Sequence, residues 1–198
     1  MEKETFNWRL TNHINERWSY NPNLFTDAEL DTIINNSENP LLYTEMESGL
    51  VGQKTSKLSV RDSQVSWIKC VDENAWLFKR LTGAVLHNNE KFYNFDLTEI
   101  ESLQFTKYPA GSGFYVNHID LSYKSSGTRK LSFSVQLSDP STYEGGDLLL
   151  HLGHEPTRMP RDRGTIIFFP SWTLHEVTPV TSGVRYSLVG WVEGPRFK

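Results

Sequence analysis

The sequence predicts a mainly β fold, a sandwich or a jelly roll in its second half, with helices from the first half covering one sheet. Three observations carry this reading. Beyond about residue 99, segments rich in β-branched and aromatic residues recur at short intervals between Gly, Pro, Asp and Ser turns, and no helical period appears. Before that point, two stretches repeat apolar residues at helical spacing. The 198 residues suit one domain, with no internal repeat and no linker to divide them.

Thr26-Asp27-Ala28-Glu29 has the form of a capping box ahead of Leu30, Ile33 and Ile34, which make one apolar stripe. Asn35-Asn36-Ser37 and then Pro40 end this first helix. A second helix is predicted from near Asp72 through Trp76, Leu77, Leu81, Ala84 and Val85 to Asn88-Asn89. Between them, residues 57–60 and 65–68 read as strands. The later half is predicted to hold strands near 103–108, 114–118, 129–137, 147–151, 164–169, 175–177 and 185–191. Residues 1–98 are thus expected to form a helix and strand support region packed on a core built by residues 99–194.

Hydrophobic residues make up 37% and charged residues 22%, with Gly 13 and Pro 9 dispersed, which excludes disordered and low-complexity classes. A total of 20 Lys and Arg against 24 Asp and Glu gives a net charge of −4 without a basic run, so the electrostatic footprint of a nucleic-acid or membrane-surface binder is missing. Apolar runs such as Ile166-Ile167-Phe168-Phe169 fall far short of a membrane span, and Met1-Glu2-Lys3-Glu4 is not the apolar start of a signal peptide. Cys70, a single thiol, is expected as a small buried hydrophobe in a reducing, cytoplasmic setting. Aromatic residues are the excess, with 11 Phe, 8 Tyr and 6 Trp, which suits β-rich cores and flat-walled pockets.

His118-Ile119-Asp120 sets an imidazole and a carboxylate two residues apart, and the alternation of a strand turns both to one face. Alone, such a pair also serves as a plain hydrogen-bonded couple. His175 lies 57 residues on, after an apolar strand and the turn Pro170-Ser171-Trp172. Two His and one carboxylate are the facial triad that takes one side of an octahedral iron and leaves three positions open. By itself His175 equally fits a core histidine at a strand start. Arg185 follows ten residues later in an otherwise apolar and aromatic strand. Its guanidinium cannot shed its charge, so it needs an anion, either a ligand carboxylate or a protein acid. His151-Leu152-Gly153-His154 lacks both a helix to stack the pair and a third ligand, and reads as surface rim. Gly145-Gly146 precedes a strand, so it reads as a turn or bulge and not as a phosphate loop.

The set His118-x-Asp120, His175 and Arg185 on a β-rich half resembles the Fe(II)/2-oxoglutarate-dependent dioxygenases, in their prolyl hydroxylase branch. The stretch Tyr108-Pro-Ala-Gly-Ser-Gly-Phe-Tyr115-Val-Asn-His118-Ile-Asp120 is similar to that branch's tyrosine, glycine-rich loop, tyrosine and first-ligand segment. Leu137-Ser-Asp-Pro-Ser-Thr-Tyr143-Glu-Gly145-Gly146-Asp-Leu148 and Leu174-His175-Glu-Val177-Thr-Pro179-Val-Thr-Ser-Gly183-Val-Arg185 closely resemble the bacterial and phage enzymes called PKHD-type hydroxylases. The resemblance covers residues 99–194; upstream, only scattered features such as Arg61 and Trp76 match.

The resemblance implies a double-stranded β-helix, or jelly roll, with Fe(II) held by His118, Asp120 and His175 and the far carboxylate of 2-oxoglutarate paired with Arg185. It makes Tyr108 a lining residue of the cosubstrate pocket and Trp191 an aromatic wall, and places Tyr115 and Arg129 against a substrate peptide. Gln136 stands where some relatives carry a tyrosine that donates to the far carboxylate; its amide N–H is one substitute donor, and a donor from elsewhere is the other. Dioxygen is the further cosubstrate, ascorbate the expected reductant, and a prolyl residue of a peptide or protein the expected target. Substrate choice is expected in the loop 121–128 and in the first half. The rival readings are the same iron chemistry on a free amino acid or other small metabolite, and a noncatalytic jelly-roll binding module. Nucleobase repair members carry a second arginine six residues after the first, where this chain has Trp191.

Overall fold

The computed structural model describes residues 16–49, 60–121 and 127–196. In chain order these form β1 (Ser19–Asn21), α1 (Asp27–Asn35), β2 (Glu47–Ser48), β3 (Arg61–Asp62), β4 (Gln64–Ile68), α2 (Ala75–Asn88), β5 (Glu99–Pro109) and β6 (Phe114–His118). There follow β7 (Arg129–Gln136), β8 (Tyr143–Gly145), β9 (Leu148–Leu150), β10 (Thr157–Arg158), β11 (Ile166–Pro170), β12 (His175–Val177) and β13 (Val180–Glu193). The larger sheet runs β1-β11-β7-β13-β5-β4-β2, with β8 attached to β13, and the smaller runs β10-β9-β12-β6-β3. Every pairing is antiparallel among the described residues, and the two sheets make the jelly roll.

Capping explains where α1 starts. Thr26 sits in an extended conformation and its hydroxyl accepts from the Glu29 amide, while the Glu29 carboxylate accepts from the Thr26 amide at 2.9 Å. Arg80 of α2 donates to the same carboxylate at 2.6 Å, so the cap also ties the two helices together. α1 passes at Asn36 into a short 3-10 turn, and α2 is entered through another at Asp72–Asn74. A π turn, Asn89–Tyr93, extends α2 and ends at Asn94, which adopts the left-handed conformation.

The sequence reading places the β-rich half correctly and shortens its longest strands. β13 begins five residues before the predicted 185 because its first part pairs with β8 before its second part enters the large sheet between β5 and β7. Of the predicted strand 57–60, residues 57–59 lie outside the described residues, and Val60 lies in a turn ahead of β3. Cys70 corrects the expectation of burial: it is exposed, because β4 ends at Ile68 and the chain turns outward before α2. No helix among the described residues is long and apolar enough to cross a membrane.

The large sheet is covered on both faces. Leu131, Phe133 and Val135 of β7 pack with Phe105 and Leu188 against Leu30, Ile33, Leu77 and Leu81 of the helices, so residues from both sides of position 98 share one core. The other face turns toward the small sheet, where Tyr108, Leu150, Ile167, Phe169 and Val177 form a second apolar cluster. Gly190 fits only as glycine, since a Cβ there would lie 2.3 Å from the Phe133 ring.

Glu29 supplies a pH test of the cap. Its hydrogen bond to Arg80, followed by that to the Thr26 amide, lowers its pKa from 4.5 to about 2. A depressed carboxylate adds stability that is complete above the ordinary value and is lost as the pH falls from there through the folded value. Glu29→Gln should therefore lower the thermal midpoint at pH 7, and the difference from the unaltered protein should shrink below about pH 4 in melts followed by circular dichroism. Thr26→Ala should cost about 1 kcal/mol at pH 7, and part of that cost should fade as Glu29 protonates, because the Thr26 hydroxyl also binds the Glu29 carboxylate at 3.0 Å.

Candidate metal centre and cosubstrate pocket

His118, Asp120 and His175 each bring one ligand atom to a common point, all within 4.8 Å of one another. His118 ends β6 and His175 opens β12, and the two residues are direct partners across the small sheet. Asp120 stands differently from its sequence expectation. The strand stops at His118, so alternation does not set the carboxylate; instead the Asp120 and Leu121 amides both donate to the Ser171 carbonyl at 2.9 Å, which folds the chain back over the histidines.

A bulge in β6 explains a further convergence. His175 faces His118 while Val177 faces Tyr115, so two residues of β6 stand opposite one of β12. Plain alternation would put Tyr115 and His118 on opposite faces, whereas here their rings stack at 3.5 Å between centroids. Arg61 covers the other side of the tyrosine at 4.7 Å, and its guanidinium donates to Ser63 at 2.7 Å and Gln104 at 2.9 Å. Burial raises the Tyr115 pKa, with Arg61 pulling the other way.

Each imidazole is oriented by its own backbone. The Nδ1 of His118 donates to the Val116 carbonyl at 2.8 Å and that of His175 to the Thr173 carbonyl at 2.9 Å, which fixes the tautomer and leaves both Nε2 lone pairs turned inward. These Nε2 atoms lie 3.7 and 3.6 Å from the Asp120 oxygens. Burial, and then the neighbouring His175, push His118 down to about 4, so its imidazole is neutral near pH 7. Burial works to raise the Asp120 pKa, but His175 and His118 together with the Ser132 hydroxyl outweigh it and hold the carboxylate ionised below its ordinary range. Ser132 donates to that carboxylate at 2.7 Å and is itself 3.0 Å from the Ser171 hydroxyl. One carboxylate oxygen and two imidazole nitrogens on one side of a pocket fit Fe(II).

Arg185 faces the same interior from β13. It is 1% exposed, and of its guanidinium only Nη2 has a partner, Gln136 Oε1 at 2.9 Å; Nε and Nη1 have none among the described residues. No carboxylate pairs with it there, so the protein-acid alternative for Arg185 finds no support. The Tyr108 ring lies 5.3 Å from the guanidinium carbon. Tyr108 shares the inter-sheet cluster with Phe169, whose ring is 4.7 Å from His175, and this apolar wall connects arginine and triad. Gly146 makes room for the arginine stem, since a Cβ there would meet Arg185 Cδ at 2.9 Å, and its φ of +62° suits glycine.

The amide of Gln136 does not offer its N–H to this space. Its Nε2 donates to the Pro160 carbonyl at 3.1 Å, and only its oxygen turns to Arg185. Of the two donors left open by the sequence, the one from elsewhere is therefore favoured. Ser187, two residues after Arg185 and opposite Gln136 in the sheet, has a buried hydroxyl without a partner among the described residues. Trp191 faces inward beside Trp67 at 6.2 Å, and its buried indole nitrogen is also unpaired among the described residues. Arg129 stacks on Trp191 at 4.2 Å and binds Glu101 through two nitrogens at 2.6 and 2.8 Å. His151 pairs with Glu176 and His154 with Glu155, in separate places, as their surface reading expects. Within the loop 121–128, residues 122–126 lie outside the described residues. A groove of about 330 Å³ between α2 and the ends of β5 and β13, lined by Phe78, Leu86, Ile100 and Val192, brings no ligand set together.

Sequence reasoning missed Ser132, Ser171, Ser187 and Trp67. A signal was present for the serines of β7, where Ser132, Ser134 and Gln136 alternate with Leu131, Phe133 and Val135 in a strand buried on both sides.

Comparison with known proteins agrees with this geometry. The family model of the 2OG-Fe(II) oxygenase superfamily matches residues 103–193. A PKHD-type hydroxylase of Prochlorococcus marinus (strain AS9601) is 31% identical over 174 residues, covering 86% of this chain and 75% of that protein. Another, of Synechococcus sp. (strain CC9605), is 38% identical over 128 residues, covering 62% of this chain and 57% of its own length. Over such matches the chain spans about half the length of its curated relatives. A prolyl hydroxylase of Trichoplax adhaerens, solved with a hypoxia inducible factor peptide fragment, shares the fold at a TM-score of 0.75 and 17% identity, over 89% of this chain and 83% of that one. The chain belongs to the 2OG-Fe(II) oxygenase superfamily, among its PKHD-type hydroxylases.

Removing a ligand should disable the site before the fold. His175→Ala is expected to melt as a folded protein and to lose tight binding of Fe(II) or Mn(II) in anaerobic titration calorimetry. Ser132→Ala should keep all three ligands and weaken metal binding roughly 10–100-fold, the usual effect of losing a hydrogen bond that orients a ligand.

Proposed function

We propose that this chain is an Fe(II)- and 2-oxoglutarate-dependent dioxygenase that hydroxylates prolyl residues in a peptide or protein. The observation that carries the reading is the pairing of the His118, Asp120 and His175 cluster with a fully buried arginine whose guanidinium has two unpartnered nitrogens in the same interior. A buried cation without a protein anion is costly unless a ligand completes it, and a dicarboxylic 2-oxo acid supplies one carboxylate for the arginine and a chelating end for the metal.

Fe(II), when bound, supplies the oxidative chemistry by which dioxygen and 2-oxoglutarate are converted to succinate and carbon dioxide while a C–H bond is hydroxylated. The chain supplies position and exclusion of water. His118, Asp120 and His175 hold the metal from one side, and Arg185 orients the far carboxylate with Ser187 as the second donor. Tyr108 closes the pocket beside the guanidinium, and Trp191 and Trp67 wall the opening. Tyr115 and Arg129, the first stacked on His118 and the second on Trp191, stand where an incoming peptide meets the site. The peptide complex of the Trichoplax fold neighbour supports a peptide as the substrate class. Ascorbate is assigned as the reductant that would keep bound iron ferrous when 2-oxoglutarate is consumed without a prime substrate.

With Fe(II), 2-oxoglutarate, ascorbate and oxygen, slow succinate formation is expected without a prime substrate, because that half of the reaction needs only the triad, Arg185 and the pocket. Arg185→Ala should raise the Michaelis constant for 2-oxoglutarate roughly tenfold to a hundredfold, the cost of a lost charged hydrogen bond. A prolyl peptide should accelerate succinate release and gain one oxygen by mass, and Tyr115→Phe should blunt the acceleration alone. Acceleration by a free amino acid, with none from a broad panel of prolyl peptides, would transfer the same iron chemistry to a small-molecule substrate. No succinate under any condition would favour a noncatalytic binding module.

A further inference from the structure

We infer that Gln136 is a positioning residue that holds Arg185 in place without neutralising it, and so keeps the cosubstrate pocket cationic. This rests on the dioxygenase reading of the site. Gln136 is 2% exposed and both ends of its amide are used: Oε1 accepts from Arg185 Nη2 at 2.9 Å, and Nε2 donates to the Pro160 carbonyl at 3.1 Å. That carbonyl can only accept, so it fixes which way the amide lies and keeps the oxygen toward the arginine. The main chain at Gln136 is fixed as well, its amide donating to the Thr165 carbonyl at 2.9 Å and its carbonyl accepting from the Gly164 amide at 2.8 Å.

The result is a guanidinium pinned at one nitrogen by a neutral acceptor, with Nε and Nη1 left for an anion. A carboxylate at position 136 would reach the same nitrogen but bring a full negative charge. It would form a buried ion pair with Arg185 and repel the Pro160 carbonyl and the arriving dianion alike. Asp147, which follows Gly146 in the chain, is paired with Arg158 and Arg161. Among the described residues the partner given to the arginine is the Gln136 amide. A dianionic 2-oxo acid is retained because the pocket's positive charge is not cancelled before it arrives.

The test uses the full chain loaded anaerobically with Mn(II), and measures binding of N-oxalylglycine, an analogue of 2-oxoglutarate that is not decarboxylated. Titration calorimetry of Gln136→Glu should show the analogue bound roughly tenfold to a hundredfold more weakly, with Mn(II) affinity unchanged. Gln136→Ala removes the brace without adding charge, and should weaken the analogue by a smaller factor. In turnover of Gln136→Ala, the Michaelis constant for 2-oxoglutarate should rise while that for the prime substrate stays. Unchanged analogue affinity in Gln136→Glu, beside a large loss in Arg185→Ala, would overturn the role of Gln136 and leave Arg185 as the anion site. Unchanged affinity in Arg185→Ala itself would overturn the cosubstrate reading on which the proposal stands. Should Gln136→Glu fail to fold, Gln136→Ala decides: full analogue affinity in that variant overturns the proposal, and a loss confined to the analogue supports it.

Discussion

A sheet covered on both faces leaves no solvent to hydrate polar groups, and everything at this site follows from how the large sheet meets that constraint. One face of β7 and β13 is given to Leu131, Phe133, Val135 and Leu188 and is sealed by the helices. The other carries Ser132, Gln136, Arg185 and Ser187, all buried, which only a ligand pocket or a hydrogen-bond network can accommodate. Some of these groups are satisfied internally, as Ser132 is by Asp120. Others are not, and the unsatisfied ones mark where the protein expects something else.

The two halves of the pocket use opposite electrostatic devices. At the candidate metal end burial pushes His118 down to about 4, while attraction to the histidines and the Ser132 hydrogen bond outweigh burial and lower the Asp120 pKa, so near pH 7 His118 has no proton to displace. At the other end the arginine cannot be neutralised by burial at all, and its environment is arranged to leave its charge intact. Both ends are preorganised from the backbone: carbonyls orient the imidazoles, and Pro160 orients the amide that orients Arg185.

Much of this was legible in the sequence because it is carried by residue type and period. The capping box at Thr26 and the strand 114–118 follow from local pattern, the meeting of His175 with His118 from the family resemblance, and the arginine in an apolar strand announced an anion. What the sequence did not reveal depends on register and crossing chains. The Asp120 carboxylate reaches the histidines through the Ser171 carbonyl, 51 positions away, and no alternation rule contains that contact. Gln136 reads as a donor from its amide alone, and only the Pro160 carbonyl, brought in by the connection between β10 and β11, reverses the role. Cys70 misled because a short apolar context suggested a strand interior where β4 had already ended.

The β6 bulge has a consequence for how this segment can change over generations. Tyr115 and His118 share a face only because one surplus residue lies between them, so the reading frame of the strand itself encodes the joining of the proposed substrate wall and the proposed metal ligand. Loss of one residue there would return the strand to strict alternation and force a choice between the two. Side-chain exchange at Tyr115 would leave that register intact, whereas an insertion or deletion between Tyr115 and His118 would not.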